Sequence, residues 1–207
     1  MSYQITDISS LSVDNYPYYY CDANVWIAAL KYYGIGCHNA HELPYQTFIE
    51  AVVNLNEIND PQVEKRIKNK PKIILSSLVL SEIINSFMRN VAMKGFFGGN
   101  DEYCNYDYKR DYRDNASSDY KSQLTNLCSD ILSFKDYTIL LSDDFNSINP
   151  FDWITQLPTI DADFNDLYYY KFLIDKNIPF VTHDKDFKFQ DIPIITANPR
   201  LLRLRKC

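Results

Sequence analysis

The sequence predicts an α/β fold, a central parallel sheet covered by helices in three α/β/α layers. Three observations carry this. Short apolar or aromatic runs of strand length alternate with longer segments of helical periodicity. The 207 residues suffice for one sizeable core and are short for two full domains. A composition of 46% hydrophobic and 23% charged residues is that of an ordinary globular chain and argues against global disorder.

Residues 1–15 are polar and unpatterned and read as an N-terminal tail or an added cover. Residues 16–21, Tyr-Pro-Tyr-Tyr-Tyr-Cys, are an aromatic run suited to a buried strand. Val25, Ala28, Ala29 and Tyr32 then recur at helical spacing, with Asn24 as the expected cap and Gly34-Ile35-Gly36 as the stop. Residues 43–55 and 63–70 read as helices parted by Asn59-Asp60-Pro61. A strand at 72–76 leads through Ser77 into a helix with Leu80, Ile83, Ile84, Phe87 and Val91 on one stripe, closed by Gly95.

The stretch at about 98–118 is charged, Tyr-rich and aperiodic and reads as an insertion or a flexible excursion. A helix at 119–133 and a strand at 137–141 follow. A loop holding Pro150, Trp153 and Pro158 precedes a helix at 163–176, with Leu167, Tyr170, Leu173 and Ile174 on one side. Strands at 178–182 and 192–196 complete the pattern. The domain thus spans 16–199, and 200–207 read as a basic C-terminal tail.

Several classes are disfavoured. The longest apolar stretch, 73–84, is broken by Ser76, Ser77, Ser81 and Glu82, far short of the roughly 20 residues a membrane span needs. No basic segment followed by an apolar one opens the chain, as a secretory signal would. Five scattered cysteines (Cys21, Cys37, Cys104, Cys128, Cys207) read as free thiols in a reducing compartment. The expectation is a cytoplasmic protein with no membrane partner. A net charge of −6 disfavours a generic nucleic-acid coat, though not an enzyme that meets nucleic acid through metal ions and a local basic patch.

The acids fall in a pattern. Asp22 follows the first strand, and Glu82 lies in the first turns of the helix after the second. Asp163 and Asp166 open the helix that follows the third strand and its loop, and Asp184 comes two residues after the fourth. A parallel sheet gathers such positions at the carboxyl rim of its strands. Carboxylates crowded together cannot all ionise without a compensating cation, yet residues 136–170 hold seven Asp and no Lys or Arg. A divalent ion answers this, and all-oxygen ligation suits Mg²⁺ or Mn²⁺ rather than Zn²⁺.

Asp22-Ala23-Asn24 after a strand, residues 77–83 (Ser-Leu-Val-Leu-Ser-Glu-Ile) and Asp166 at its helix resemble the signature of the PIN-domain family. Residues 179–187, Pro-Phe-Val-Thr-His-Asp-Lys-Asp-Phe, are similar to its hydrophobic-Thr-x-Asp-x-Asp-Phe ending, and the sixteen-residue step from Asp166 to Thr182 fits as well. The resemblance covers residues 16–196. It implies a PIN-like α/β/α nuclease that uses one or two Mg²⁺ or Mn²⁺ ions and a metal-activated water to cut RNA, with Asp22, Glu82, Asp166 and Asp184 as the acidic quartet. Many members are VapC-like toxins of toxin–antitoxin pairs, so an antitoxin-like protein inhibitor and a homodimer are further implications. The chain departs from the compact toxins in its length.

Other readings stand beside these. Asp163 competes with Asp166 for the third acid, and Asp163 is well placed as an N-terminal helix acid. Asn24 and Thr182 are candidates to orient a carboxylate or water, and Asp186 either joins the site or turns the loop before Phe187. His38 and His41 have ligand-like spacing but no third ligand nearby. His183 either touches substrate or is merely exposed. Tyr18-Tyr19-Tyr20 and Tyr168-Tyr169-Tyr170 could stack bases, with core packing the better reading. Arg200, Arg203, Arg205 and Lys206 could track RNA phosphates or form a solvated tail. Two other functions are open: a non-catalytic PIN-like module that binds RNA or protein, and an aspartyl-nucleophile phosphatase, for which Asp22-Ala23-Asn24 lacks the second carboxylate.

Overall fold

The computed structural model describes residues 3–34, 39–99, 101–142, 150–160 and 162–205. Six parallel strands form one sheet in the order β1-β6-β5-β2-β3-β4. They are β1 (Ile5–Asp7), β2 (Tyr18–Cys21), β3 (Lys72–Leu75), β4 (Thr138–Leu140), β5 (Phe180–Val181) and β6 (Ile194–Thr196). The helices are α1 (Ala23–Gly34), α2 (Leu43–Glu57), α3 (Pro61–Glu64), α4 (Ser77–Phe87), α5 (Met93–Phe96), α6 (Ser117–Ser133), α7 (Pro150–Gln156), α8 (Phe164–Leu173) and α9 (Pro199–Leu204). This is the expected α/β class with a parallel sheet, consistent with three α/β/α layers.

The layering follows from the two-residue period of a strand. Tyr19 and Tyr20 are both fully buried. The Tyr19 ring meets Phe48 of α2 edge-on at 5.0 Å. Tyr20, pointing the other way, meets Tyr169 and Phe172 of α8 at 5.5 and 5.6 Å. Helices therefore cover both faces, and each aromatic contact of this kind adds about 0.5–1.5 kcal/mol to simple area burial. Burial on both faces also explains why Ile73, Ile74, Phe180, Val181, Ile194 and Ile195 give unbroken apolar runs rather than alternation. Strand β4 is an exposed edge, with Leu140 79% accessible.

Several elements differ from the sequence expectation. Residues 3–15 form an added cover rather than a tail: β1 pairs in parallel with β6, and Ile5 and Ile8 join the core. A three-residue strand is too short to show periodicity. Residues 200–204 are no tail either, because Pro199–Leu204 is a helix that buries Leu201. Residues 63–70 are helical only up to Glu64, since Asp60 caps and Pro61 starts a single turn. The loop with Pro150 and Trp153 is largely α7, and Trp153 is buried.

The described part of the stretch at 98–118 carries secondary structure. A 3₁₀ turn (Asp101–Asn105) and a π-helical segment (Tyr108–Asp114) bury Tyr112 completely. The helix at Ser77 runs on through a π segment, Met88–Ala92, before Phe96 ends it. Among the described residues no helix is long and apolar enough to cross a membrane. The described cysteines Cys21, Cys104 and Cys128 are free thiols.

Candidate active site

The strand order reverses between β2 and β5: from β2 the chain moves outward to β3, and from β5 it moves the opposite way to β6. In open parallel sheets the crevice at such a reversal is the place for a site. Asp22 and Thr182 lie one residue past the paired strands. The Asp22 N–H donates to Val181 O at 2.9 Å and the Thr182 N–H to Ile195 O at 3.1 Å. The ladder itself thus delivers both residues to the rim.

There they are tied together. Thr182 Oγ1 donates to Asp22 Oδ2 at 2.7 Å and accepts from the Asp184 N–H at 2.9 Å. Asn24 Nδ2 donates to the same Asp22 oxygen at 2.6 Å, while Asn24 Oδ1 accepts from the His183 N–H at 3.3 Å. Asn24 is therefore inside the first turn of α1, whose opening bonds run to Asp22 O, and it does not cap the helix as the sequence suggested. Tyr45 OH lies within 3.3 Å of Thr182 O, His183 Nδ1 and Thr196 Oγ1, and it accepts from the Ala197 N–H at 2.9 Å. Together these fasten the ends of β5 and β6 to α2.

Asp22, Glu82, Asp163, Asp166 and Asp184 line one cavity of about 440 Å³, together with Asn24, Asn85, Ser86, Arg89, Asn90, Asn165 and Tyr169. The quartet expected from sequence is thus gathered in one place. Burial pushes the Asp22 carboxyl up to about 6, with Glu82 and Asp184 adding to the rise against the Thr182 hydrogen bond. Burial likewise pushes Asp166 up to about 7, with Asp163, Asp184 and Asp22 contributing. Among the described residues, Arg89 is the one cation in the lining.

Asp163 and Asp166 have different jobs. Asp163 is exposed and caps α8, its Oδ1 accepting from the Asp166 N–H at 2.9 Å. Asp166 is the half-buried carboxyl that turns into the cavity. Asp186 does not line the cavity: its N–H donates to Asp184 Oδ1 at 2.8 Å, and its carboxylate faces Lys185 and Lys188.

Glu82 has two partners that sequence reading missed. Asn165 Nδ2 donates to Oε1 and Tyr169 OH donates to Oε2. The available signal was helical spacing: residues 165, 166 and 169 fall on one side of α8. Tyr169 was placed among core residues, and its ring is indeed buried while its hydroxyl serves the site. The stripe expected on this helix shifts accordingly, with Tyr168, Tyr169 and Phe172 in the core and Tyr170 half-buried.

A second cavity of about 840 Å³ shares Asn24 and Asp184 with the first, and His183, Lys185, Arg200 and Arg203 line it. Arg200 and Arg203 are exposed and form no ion pair among the described residues. Arg205 is also exposed and is not in this lining; the Asp7 carboxyl is lowered chiefly by its hydrogen bonds from Ser9, with Arg205 adding a little. Lys206 and His38 lie outside the described residues. His41 stacks on His183 with centroids 5.2 Å apart.

The donor set suits a hard divalent cation: carboxylate oxygens in one cavity, with Asp22 and Asp166 pushed up by burial and by their neighbours' charge. Among the described residues no three carboxylate, imidazole or thiol side chains close into a ligand group. Compared with known proteins, the chain matches no family model, no curated protein and no solved structure.

Proposed function

We propose that this protein is a divalent-metal-dependent endoribonuclease of the PIN type, with Asp22, Glu82, Asp166 and Asp184 as its acidic centre. The observation that carries this is the meeting of four carboxylates from four separate segments (the end of β2, the second turn of α4, the first turn of α8 and the loop after β5) in one cavity that adjoins a second one bearing Lys185, Arg200 and Arg203. Anionic walls alone repel a phosphodiester. Anionic walls charged with Mg²⁺ or Mn²⁺ and flanked by free guanidinium groups attract one.

When bound, a divalent cation offsets charge on the phosphoryl oxygens and makes water a better nucleophile. The chain does the rest. Thr182 and Asn24 hold one Asp22 oxygen and leave the other for a ligand. Asn165 and Tyr169 fix Glu82 by both oxygens, so little side-chain freedom is lost when it is recruited. Asp22 and Asp166 must shed protons for a cation to enter, so metal affinity rises with pH through about 6 to 7. Arg200 and Arg203 anchor phosphates beside the one being cut. No side-chain nucleophile is needed, and the expected ends are 5′-phosphate and 3′-hydroxyl. An antitoxin-like inhibitor and a homodimer rest on the family resemblance and on no feature of the cavity.

The test is cleavage of end-labelled single-stranded RNA with Mg²⁺, with Mn²⁺ and with chelator, alongside Asp22→Asn and Asp166→Asn. Metal-dependent cutting that both variants lose is the expected result. Binding of metal and RNA without cutting would favour the non-catalytic module, a reading that the open ligand arrangement also allows. Release of phosphate from monoesters would point to the phosphatase, and failure to bind metal would remove the quartet reading.

A further inference from the structure

The tyrosine-rich excursion builds a third cavity, of about 340 Å³, whose lining includes Arg89, Asn90, Tyr103, Cys104, Tyr106 and Tyr108. Arg89 and Asn90 also line the acidic cavity, so the two adjoin through those residues. We propose that this cavity is a nucleobase subsite, holding one unpaired base of the RNA strand whose phosphodiester lies among the carboxylates. The inference rests on the nuclease reading for the identity of the strand, and on the geometry below for the subsite.

The rings are the first argument. Tyr106 lies flat on Phe97, with centroids 3.7 Å apart and planes within 8°, yet 44% of it remains accessible. A base can therefore extend that stack on the uncovered side. Tyr103 and Tyr108 are also partly accessible, whereas Tyr112 is fully buried, its hydroxyl donating to Asp119 at 3.0 Å. Tyr112 thus holds the excursion to the body of the protein, with Tyr103 and Tyr108 partly packed against the same core, whereas Tyr106 stays outside it. Each stacked base on such a platform is worth about 1–3 kcal/mol and needs no particular sequence.

Polar groups supply the second argument. The Arg89 guanidinium sits over the Tyr108 ring at 4.4 Å, is exposed, and has no acidic partner among the described residues. At the junction of two cavities it can pair with the phosphate joining the bound base to the scissile bond. Asn90 Nδ2 donates to Ser86 Oγ at 3.0 Å, which leaves Oδ1 to accept from a base edge. Bases paired in a duplex cannot reach such rings, so the ligand is a single strand.

Cys104 lines this cavity, and the exposed Cys128 lies outside it on α6, so the chain carries its own probe and control. The experiment is alkylation of the full-length protein by iodoacetamide, mapped by peptide, with and without a ten-nucleotide RNA in chelator. RNA should slow modification of Cys104 several-fold and leave Cys128 unchanged. In parallel, anisotropy titrations should show Tyr106→Ala weakening RNA binding by about 5- to 150-fold, the worth of one stacked base, while Tyr106→Phe retains it.

If bound RNA leaves Cys104 as reactive as before and Tyr106→Ala binds like wild type, the subsite is wrong, whether or not the RNA is cut. If Cys104 is protected but Mg²⁺ and Mn²⁺ never produce cutting, the subsite stands and the nuclease reading falls. RNA that neither binds nor is cut overturns both.

Discussion

The acidic rim and the tyrosine excursion adjoin, yet they are held by opposite physics. The rim is assembled from residues 22, 82, 166 and 184, brought together by strand order and hydrogen bonds to strand ends. It is electrostatically unfavourable as it stands, as the raised Asp22 and Asp166 carboxyls show. The excursion is local in sequence and is stabilised by ring contacts around one buried tyrosine. Function is therefore expected to be sensitive at the rim with no cost in stability, and stability to be sensitive in the excursion.

The largest effect expected from this contrast is at Asp22. Asp22→Asn should lower RNA cleavage about 10³-fold, because the charge stabilisation it organises is worth several kcal/mol, while its thermal midpoint in chelator should be no lower than wild type. Unfolding of Asp22→Asn under those conditions would mean that the rim is structural. Next comes Tyr112→Ala, which should cost about 3 kcal/mol in urea denaturation, as loss of a buried aromatic does. A change under 1 kcal/mol would make the excursion a loosely attached appendage.

Thr182→Val should reduce metal affinity about 10- to 100-fold, the usual effect of removing a group that orients a ligand, with Thr182→Ser restoring it. Titration calorimetry with Mn²⁺ reads this directly. The pH response follows from Asp166. Its folded pKa of about 7 lies above the ordinary carboxylate value, so the native state keeps a proton that the unfolded chain sheds. Its contribution is complete at low pH and is lost as pH rises through about 4 to 7. In chelator the thermal midpoint should fall over that window, and Asp166→Asn should flatten the fall. Adding Mg²⁺ at pH 8 should raise the midpoint of wild type more than that of the variant. The smallest effect belongs to Arg203→Ala, which should reduce the salt slope of single-stranded RNA binding by about 0.7, the share of one phosphate contact.

The legibility of the molecule follows the same division. The strands at 72–76, 178–182 and 192–196 were readable because burial on both faces gives dense apolar runs. Asp22 and Asp184 were readable because they stand directly after such runs. The stripe from Leu80 to Val91 was readable as helix, but its π segment was not, since one extra residue in a turn leaves the pattern nearly intact. Strand β1 was missed because three residues carry no period, and its strand character depends on pairing with β6. Residues 98–118 looked aperiodic because 3₁₀ and π segments follow neither of the common periods.

By itself, then, the sequence determined the α/β class, the parallel sheet and which carboxylates stand at strand ends, since local periodicity and adjacency are written in the chain. Tertiary structure decided that Asp163 caps a helix while Asp166 turns into the cavity, and that Asp186 faces lysines instead. It also decided that Asn165 and Tyr169 hold Glu82, and that Arg89 and Asn90 border both the acid cavity and the tyrosine one. These facts depend on the direction of each side chain and on partners up to 160 residues away, and neither direction nor long-range partnership is set by neighbours along the chain.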